Sequence, residues 1–205
     1  MSLIAVAILL TGAMGTEPTY QDRRSQIICH GALIRYDEPP SMLVSVTSAG
    51  KRIDMGMQKD MAFQMQGGTG WKYDGASLSF YSGSKLKGRV KVPRISAPRQ
   101  IYKHGLEIDP LLRQWAFSNS PARSLLAPGL IAKWGGKKTI NGVRCEAVIL
   151  KSKALRVTVW VRTTDALFAR TVAENLDAKG HVVNRSDRSY RYKQVGKTIS
   201  KSRFR

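Results

Sequence analysis

Apolar and polar positions alternate with a period of two over most of this chain. Ser41 to Thr47 places Met42, Val44 and Val46 on one face. Ile53, Met55 and Met57 alternate with Asp54 and Gly56, and Met61, Phe63 and Met65 alternate with Ala62, Gln64 and Gln66. Trp71 and Tyr73, then Leu78, Phe80 and Tyr81, extend the pattern, and Gln26 to Tyr36 reads as a further apolar, β-branched run of the same kind. Turn residues separate the runs: Pro39-Pro40, Ala49-Gly50-Lys51, Gln58-Lys59-Asp60, Gly67-Gly68 and Asp74-Gly75. Short strands at regular spacing with such turns predict an antiparallel meander.

The middle of the chain changes period. Asp109-Pro110 is a helix start, a capping carboxylate followed by proline at the first helical position, and Leu111, Leu112, Trp115 and Ala116 recur at helical spacing. Ser120-Pro121 repeats the signal ahead of Ala122 to Ala127. Strands resume over Val143–Lys151, Leu155–Arg162, Phe168–Leu176 and His181–Tyr192, with a last one expected over Val195–Ser200. No βαβ alternation and no fixed-period repeat occurs. The expected fold class is mainly β (α+β): one large antiparallel sheet, interrupted by a helical segment, that must curl or be covered.

The N-terminus, MSLIAVAILLTGAMG, carries an apolar run from Leu3 to Leu10 and small residues before Thr16. It reads as a signal peptide over residues 1–15, although its n-region has no Lys or Arg; the other reading is a buried N-terminal element. Residues 16–205 then form one domain. If the chain is exported, Cys29 and Cys145 either bridge or remain two separate buried thiols. No CxxC is present, so thioredoxin-like chemistry has no support.

The segment from Gly142 to Tyr192 resembles the C-terminal half of LolA-like outer-membrane lipoprotein-sorting and carrier proteins. The resemblance rests on Asn141-Gly142-Val143-Arg144-Cys145, Val157-Thr158-Val159-Trp160-Val161, Leu167, Arg170 and Asp177-Ala178-Lys179-Gly180. Gly70 to Gly75 and Asp109 to Leu112 stand where that family has an aromatic hairpin and a mid-chain helix. The resemblance implies a half-barrel whose concave apolar face, capped by short helices, holds acyl chains of lipoproteins or other lipid. Arg162 stands where the family often has an acidic residue, and no N-terminal amphipathic helix is evident before Gln26.

On that reading the lipid-binding candidates are Met55, Met57, Met61, Phe63, Met65, Leu111, Leu112, Trp115, Val157 and Val159, with Leu111, Leu112 and Trp115 as a helical lid. Methionine is unbranched and polarisable, which suits a flexible acyl ligand. The same residues read equally as ordinary core, because period-two apolar positions are how any half-buried strand looks. Arg156 and Arg162 are the candidates for headgroup contact.

The chain has 205 residues, with 34 Lys+Arg against 14 Asp+Glu, a formal charge of +20. From Lys133 to Arg205 there are 18 basic and 5 acidic residues. Such a surface steers toward an anionic membrane or anionic polymers. A basic envelope protein that binds nucleic acid or another polyanion through its surface is therefore the alternative function, but no RNA- or DNA-binding motif supports it. Catalytic signatures are missing. Gly135 to Thr139 and Gly196-Lys197-Thr198 lack the upstream glycine of a phosphate loop, and the S-x-x-K matches at Ser48 and Ser82 fall on turns. Three scattered histidines argue against a His-based metal site. The expected protein is a non-catalytic, cofactor-free, monomeric carrier or sensor in the bacterial envelope or periplasm.

Overall fold

The computed structural model describes residues 18–37, 41–117 and 130–205. The leader reading, the Pro39-Pro40 turn and the second helix start at Ser120-Pro121 lie outside them, as does the side chain of Trp115. Twelve strands form one sheet: β1 Thr19–Tyr20, β2 Met42–Ser48, β3 Lys51–Gln58, β4 Met61–Gln66, β5 Thr69–Tyr73, β6 Ser77–Ser82, β7 Lys85–Lys91, β8 Ile131–Ile140, β9 Val143–Lys151, β10 Leu155–Arg162, β11 Phe168–Leu176 and β12 Val182–Val195. Their order is β1-β8-β9-β10-β11-β12-β2-β3-β4-β5-β6-β7, so the sheet is not closed. The ladders from β8 to β12 and from β2 to β7 are antiparallel, and β1 runs parallel to β8. The helices are α1 Arg23–Asp37, α2 Ala97–Lys103 and α3 Pro110–Phe117. The expected mainly antiparallel sheet with short helices is the observed fold.

The described residues pack as two compact units. The first holds 18–37 and 130–190, the second 41–117 and 191–205.

In the first unit, Gln26 to Tyr36 is helix and not the expected strand. The start signal lies just upstream: the Asp22 carboxylate accepts the Ser25 N–H at 2.7 Å, and the Ser25 hydroxyl donates back to the Asp22 carbonyl at 2.9 Å. This reciprocal cap satisfies a donor that the first helical turn would leave orphaned. Ser25, Cys29 and Ala32 are buried at helical spacing. A run so largely apolar does not distinguish strand from helix by period; the cap decides it. Beneath α1 lies the core of Cys29, Leu130, Ala132, Val148, Leu150 and Val157.

The expected strand at 195–200 is also corrected. β12 ends at Val195, Gly196 turns with φ +74°, and a short 3₁₀ turn follows at Lys201–Phe204. Three strands have no counterpart in the sequence pattern: β1, β7 and β8. β7 is a lysine-rich edge, the kind of strand that resists pairing with other chains. β8 contains the Gly135-Gly136 pair at a bulge between Trp134 and Lys137. A Cβ on Gly135 would lie 3.0 Å from Ala147 and Ile149, and Gly136 has φ +97°. The glycines that suggest a phosphate loop are there for strand geometry.

The second unit packs around buried aromatic and aliphatic residues. Met42, Val46, Met55, Trp71, Tyr73, Leu78, Ile101 and Leu112 are each at most 1% exposed. α3 starts where the sequence indicates: the buried Asp109 carboxylate accepts the Leu111 N–H at 2.9 Å, and the Asp109 N–H donates to Gln64 at 2.6 Å. Phe117 packs its ring 5.6 Å from that of Trp71 and 5.9 Å from that of Tyr73.

Candidate functional site

Strand register sorts the candidate residues. Directly paired residues share a face, so Met42, Met57, Ala62 and Tyr73 stand together, as do Val44, Met55, Gln64 and Trp71. That face of the second unit is closed by Leu111 and Leu112, 3% and 1% exposed. The expected lid helix is thus seated against β3 and β4, with Leu111 and Leu112 in the core.

Met61, Phe63 and Met65 stand on the opposite face, because each is one residue out of step with Ala62 and Gln64. There Phe63 is joined by Ile199 and Phe204 of the C-terminal segment, with Leu43, Met61 and Met65 around them. The segment is tied down at both ends. The Ile199 N–H donates to the Gln58 side chain at 2.5 Å, and Lys72 donates to the Arg205 carbonyl at 2.9 Å. The five residues expected to form one binding face therefore occupy two. Alternation within each strand was legible, but the relation of β3 to β4 depends on the length of the turn between them.

In the first unit Val157 and Val159 lie on the face beneath α1, paired with Leu150 and Val148. A small apolar pocket opens here between the helix and the sheet. Ile28, Cys29, Ala32 and Leu33 of α1 form one wall, and Val148, Leu150, Val159, Val161 and Phe168 form the other. It encloses about 30 Å³, far below the ~300–1,000 Å³ typical of ligand pockets. As it stands it is a narrow apolar seam.

The helix is held unevenly. Its N-terminal end is anchored by polar contacts: Arg24 grips Glu146 with two hydrogen bonds of 2.5 Å, Asp22 accepts the Trp134 N–H at 2.8 Å, and Ser25 donates to the Ala132 carbonyl at 3.3 Å. Farther along, Cys29, Ala32 and Leu33 contribute apolar contact, and Ile34 is 76% exposed. The Arg24 guanidinium holds the Glu146 carboxyl below its ordinary value, and the Trp134 and Ser25 N–H groups do the same for Asp22.

This has a pH consequence. A carboxyl with a folded-state pKa below its unfolded value of 4.5 contributes stability that is complete above that value and lost as pH falls through the folded one. Glu146→Gln is therefore expected to lower the urea midpoint at neutral pH, and the gap to the wild type is expected to shrink as pH is lowered toward 3. A gap independent of pH would show that the Arg24–Glu146 pair does not contribute through its charge.

The expected headgroup residues are placed differently from the valines. Arg156 and Arg162 pair with Lys151 and Cys145 in register, on the face turned away from α1. Arg156 donates to Glu174 at 2.6 Å, and Arg162 lies 2.9 Å from Asp165. The structure does not bring them to the Val157–Val159 face, because residues an odd number apart on a strand point to opposite sides. On the same outer face Arg185 stands 3.5 Å from both Glu174 and Asp187, and Arg170 binds Asp187 at 2.8 Å. Much of the late-chain arginine charge is thereby paired within the sheet.

The cysteines do not bridge. Both are buried free thiols. Cys29 packs on Val148 and Leu150, whereas Cys145 lies an odd number of residues from Val148 and points to the other face of β9. Burial pushes the Cys145 thiol up, away from reactivity.

No family model matches the sequence, and no curated protein matches it. Solved structures do. LprF from Mycobacterium bovis aligns over 90% of this chain and 97% of its own, at 13% identity and a TM-score of 0.57. Lipoprotein LppX from Mycobacterium tuberculosis aligns over 88% and 99%, at 11% identity and a TM-score of 0.54. A LolA superfamily protein from Nitrosomonas europaea aligns over 88% and 97%, at 10% identity and a TM-score of 0.31, too low to add to the fold assignment. The likeness to LprF and LppX is one of fold and extends over nearly the whole of each chain.

Proposed function

We propose that this protein is an exported, non-catalytic carrier or sensor that binds lipoprotein acyl chains or another lipid beneath α1. The observation that carries the reading is the seam between α1 and β9–β10. Its lining is wholly aliphatic or aromatic apart from one buried thiol, and a helix fixed by polar contacts near one end covers it. The fold shared with a lipoprotein, LppX, supports it.

Binding would be driven by burial of acyl methylenes at about 0.8 kcal/mol each. The helix would tilt about its Arg24–Glu146 anchor, separating Ala32 and Leu33 from Val159 and Val161 and widening the seam into a groove. Displacing apolar contacts costs little once an acyl chain replaces them, whereas breaking the anchor would leave Glu146, 4% exposed, without its guanidinium. The anchored end is therefore the hinge.

The test is native mass spectrometry of the protein purified from the envelope fraction, followed by titration with a fluorescent fatty acid. Retained lipid and saturable binding are expected. Val159→Asp puts a carboxylate in the seam and is expected to weaken binding at least about ten-fold, or ~1.4 kcal/mol, with circular dichroism unchanged. Ile34→Asp, outside the seam, should leave binding intact. Equal loss of fold and binding in Val159→Asp would mean that the valine is ordinary core. Absence of both retained lipid and probe binding would sink the carrier reading in favour of a surface-binding envelope protein.

A further inference from the structure

The face of the first unit turned away from α1 carries a second concavity, an open basin of about 1290 Å³. Its floor and walls come from β8 and β9, and its rim from the β9–β10 and β11–β12 turns. Ile131 pairs with Lys151 and Lys133 with Ile149, so isoleucine and lysine alternate in both directions across the two strands. Lys153 and Lys179 reach it from the turns, and Leu176 also lines it.

All four lysines are exposed, and Ile131 is 45% exposed. Among the described residues, no carboxylate lies within 4.0 Å of any of the four ammoniums. This sets the basin apart from the neighbouring arginines, which are paired with Glu174 and Asp187. Asp177 is the one carboxylate at the rim. It accepts the N–H groups of Lys179 at 2.9 Å and His181 at 2.8 Å, and these backbone donors hold its pKa down, the His181 one most of all. It is occupied in shaping the turn. The basin therefore combines free cationic charge with uncovered aliphatic surface.

We propose that this basin seats the headgroups of anionic lipids presented by a bilayer, so that the protein docks on a membrane through the sheet face opposite α1. Each half of the arrangement selects for that partner. Lysine is a compact charge on a flexible stem, suited to phosphate without fixed geometry. A soluble polyanion would satisfy the lysines but leave Ile131 and Ile149 facing water, whereas the interfacial zone of a bilayer meets both. The inference does not depend on acyl carriage beneath α1, since the two sites lie on opposite faces of β9.

The experiment is co-sedimentation of the full chain with phosphatidylcholine vesicles, alone or mixed with phosphatidylglycerol. Binding to the mixed vesicles only is expected, and it should fall with added salt. At about 1 kcal/mol per basic side chain, each lost charge corresponds to roughly five-fold. Lys151→Glu/Lys153→Glu should therefore weaken binding at least about 25-fold, whereas Lys85→Glu/Lys87→Glu, the same charge change on β7, should have a much smaller effect. Ile131→Ser removes no charge yet should also weaken vesicle binding.

Equal loss from the β7 pair would overturn the proposal in favour of diffuse attraction. So would full retention of binding in the basin double variant. Tight binding of inorganic phosphate or of an oligonucleotide that depends on Lys151 and Lys153 but not on Ile131, without vesicle binding, would also overturn it by assigning the basin to a soluble anion. Fluorescent fatty-acid binding by the basin variants is read in parallel. Absence of fatty-acid binding by the wild type would refute carriage while leaving the vesicle result to stand or fall separately.

Discussion

Trp71→Ala is expected to destabilise the protein by about 4 kcal/mol, with a fall in the urea midpoint of the second unit. Trp71 is 0% exposed. It stands between Gln64 and Phe80 in the cross-strand register, packs on Phe117, and donates its indole N–H to the Glu107 carbonyl at 3.1 Å. Truncation removes a large buried surface, opens a cavity under α3 and leaves the Glu107 carbonyl with Gln64 as its side-chain donor. Trp71→Phe keeps most of the ring and is expected to cost about half as much. A loss below ~1 kcal/mol for the alanine variant would mean that α3 and the loop before it collapse into the space, and that the aromatic layer is less tightly set than its burial implies.

Phe204→Ala is expected to cost about 3 kcal/mol and to loosen one segment selectively. Phe204 is 1% exposed, its ring 5.7 Å from that of Phe63. Hydrogen exchange in the variant should rise over Ile199–Phe204 and at the exposed face of β4, where Phe63, Met61 and Met65 lose their cover. Lys201→Ala, an exposed change in the same turn, should be silent. Uniform faster exchange throughout the second unit, without a local excess, would show that the segment is an integral part of its core and not a strap laid over it.

Both variants test what register decided. Phe63 and Trp71 belong to neighbouring strands and are both apolar, and each shows the same period-two signal in the sequence. Trp71 aligns with Gln64, so it faces α3, whereas Phe63 aligns with Lys72 and faces the C-terminal segment. The pattern within a strand says that alternate residues share a face; it does not say which face of the next strand they join. The methionines of β3 and β4 were divided for the same reason. The valines of β10 were the more legible case, since Val157 and Val159 share a strand and needed no neighbour to place them together.

The start of α1 was also written in the chain, in Asp22 and Ser25 three residues apart, but it is a weaker signal than Asp109-Pro110 because neither residue is proline and the following run is apolar on nearly every side. The cation-rimmed basin had no linear signature. Its lysines come from β8, β9 and two turns, and only the pairing of Ile131 with Lys151 and Lys133 with Ile149 makes them one surface.

Local rules in this chain were enough to determine an antiparallel sheet, most of its turns, the cap of α3 and a strongly basic surface, because strand alternation, turn chemistry and capping act within a few residues. Tertiary structure alone decided which apolar faces became core, which arginines were neutralised by partners on neighbouring strands, and which lysines were left uncompensated. Those outcomes depend on register and burial, which join residues far apart in the chain and carry no short-range mark.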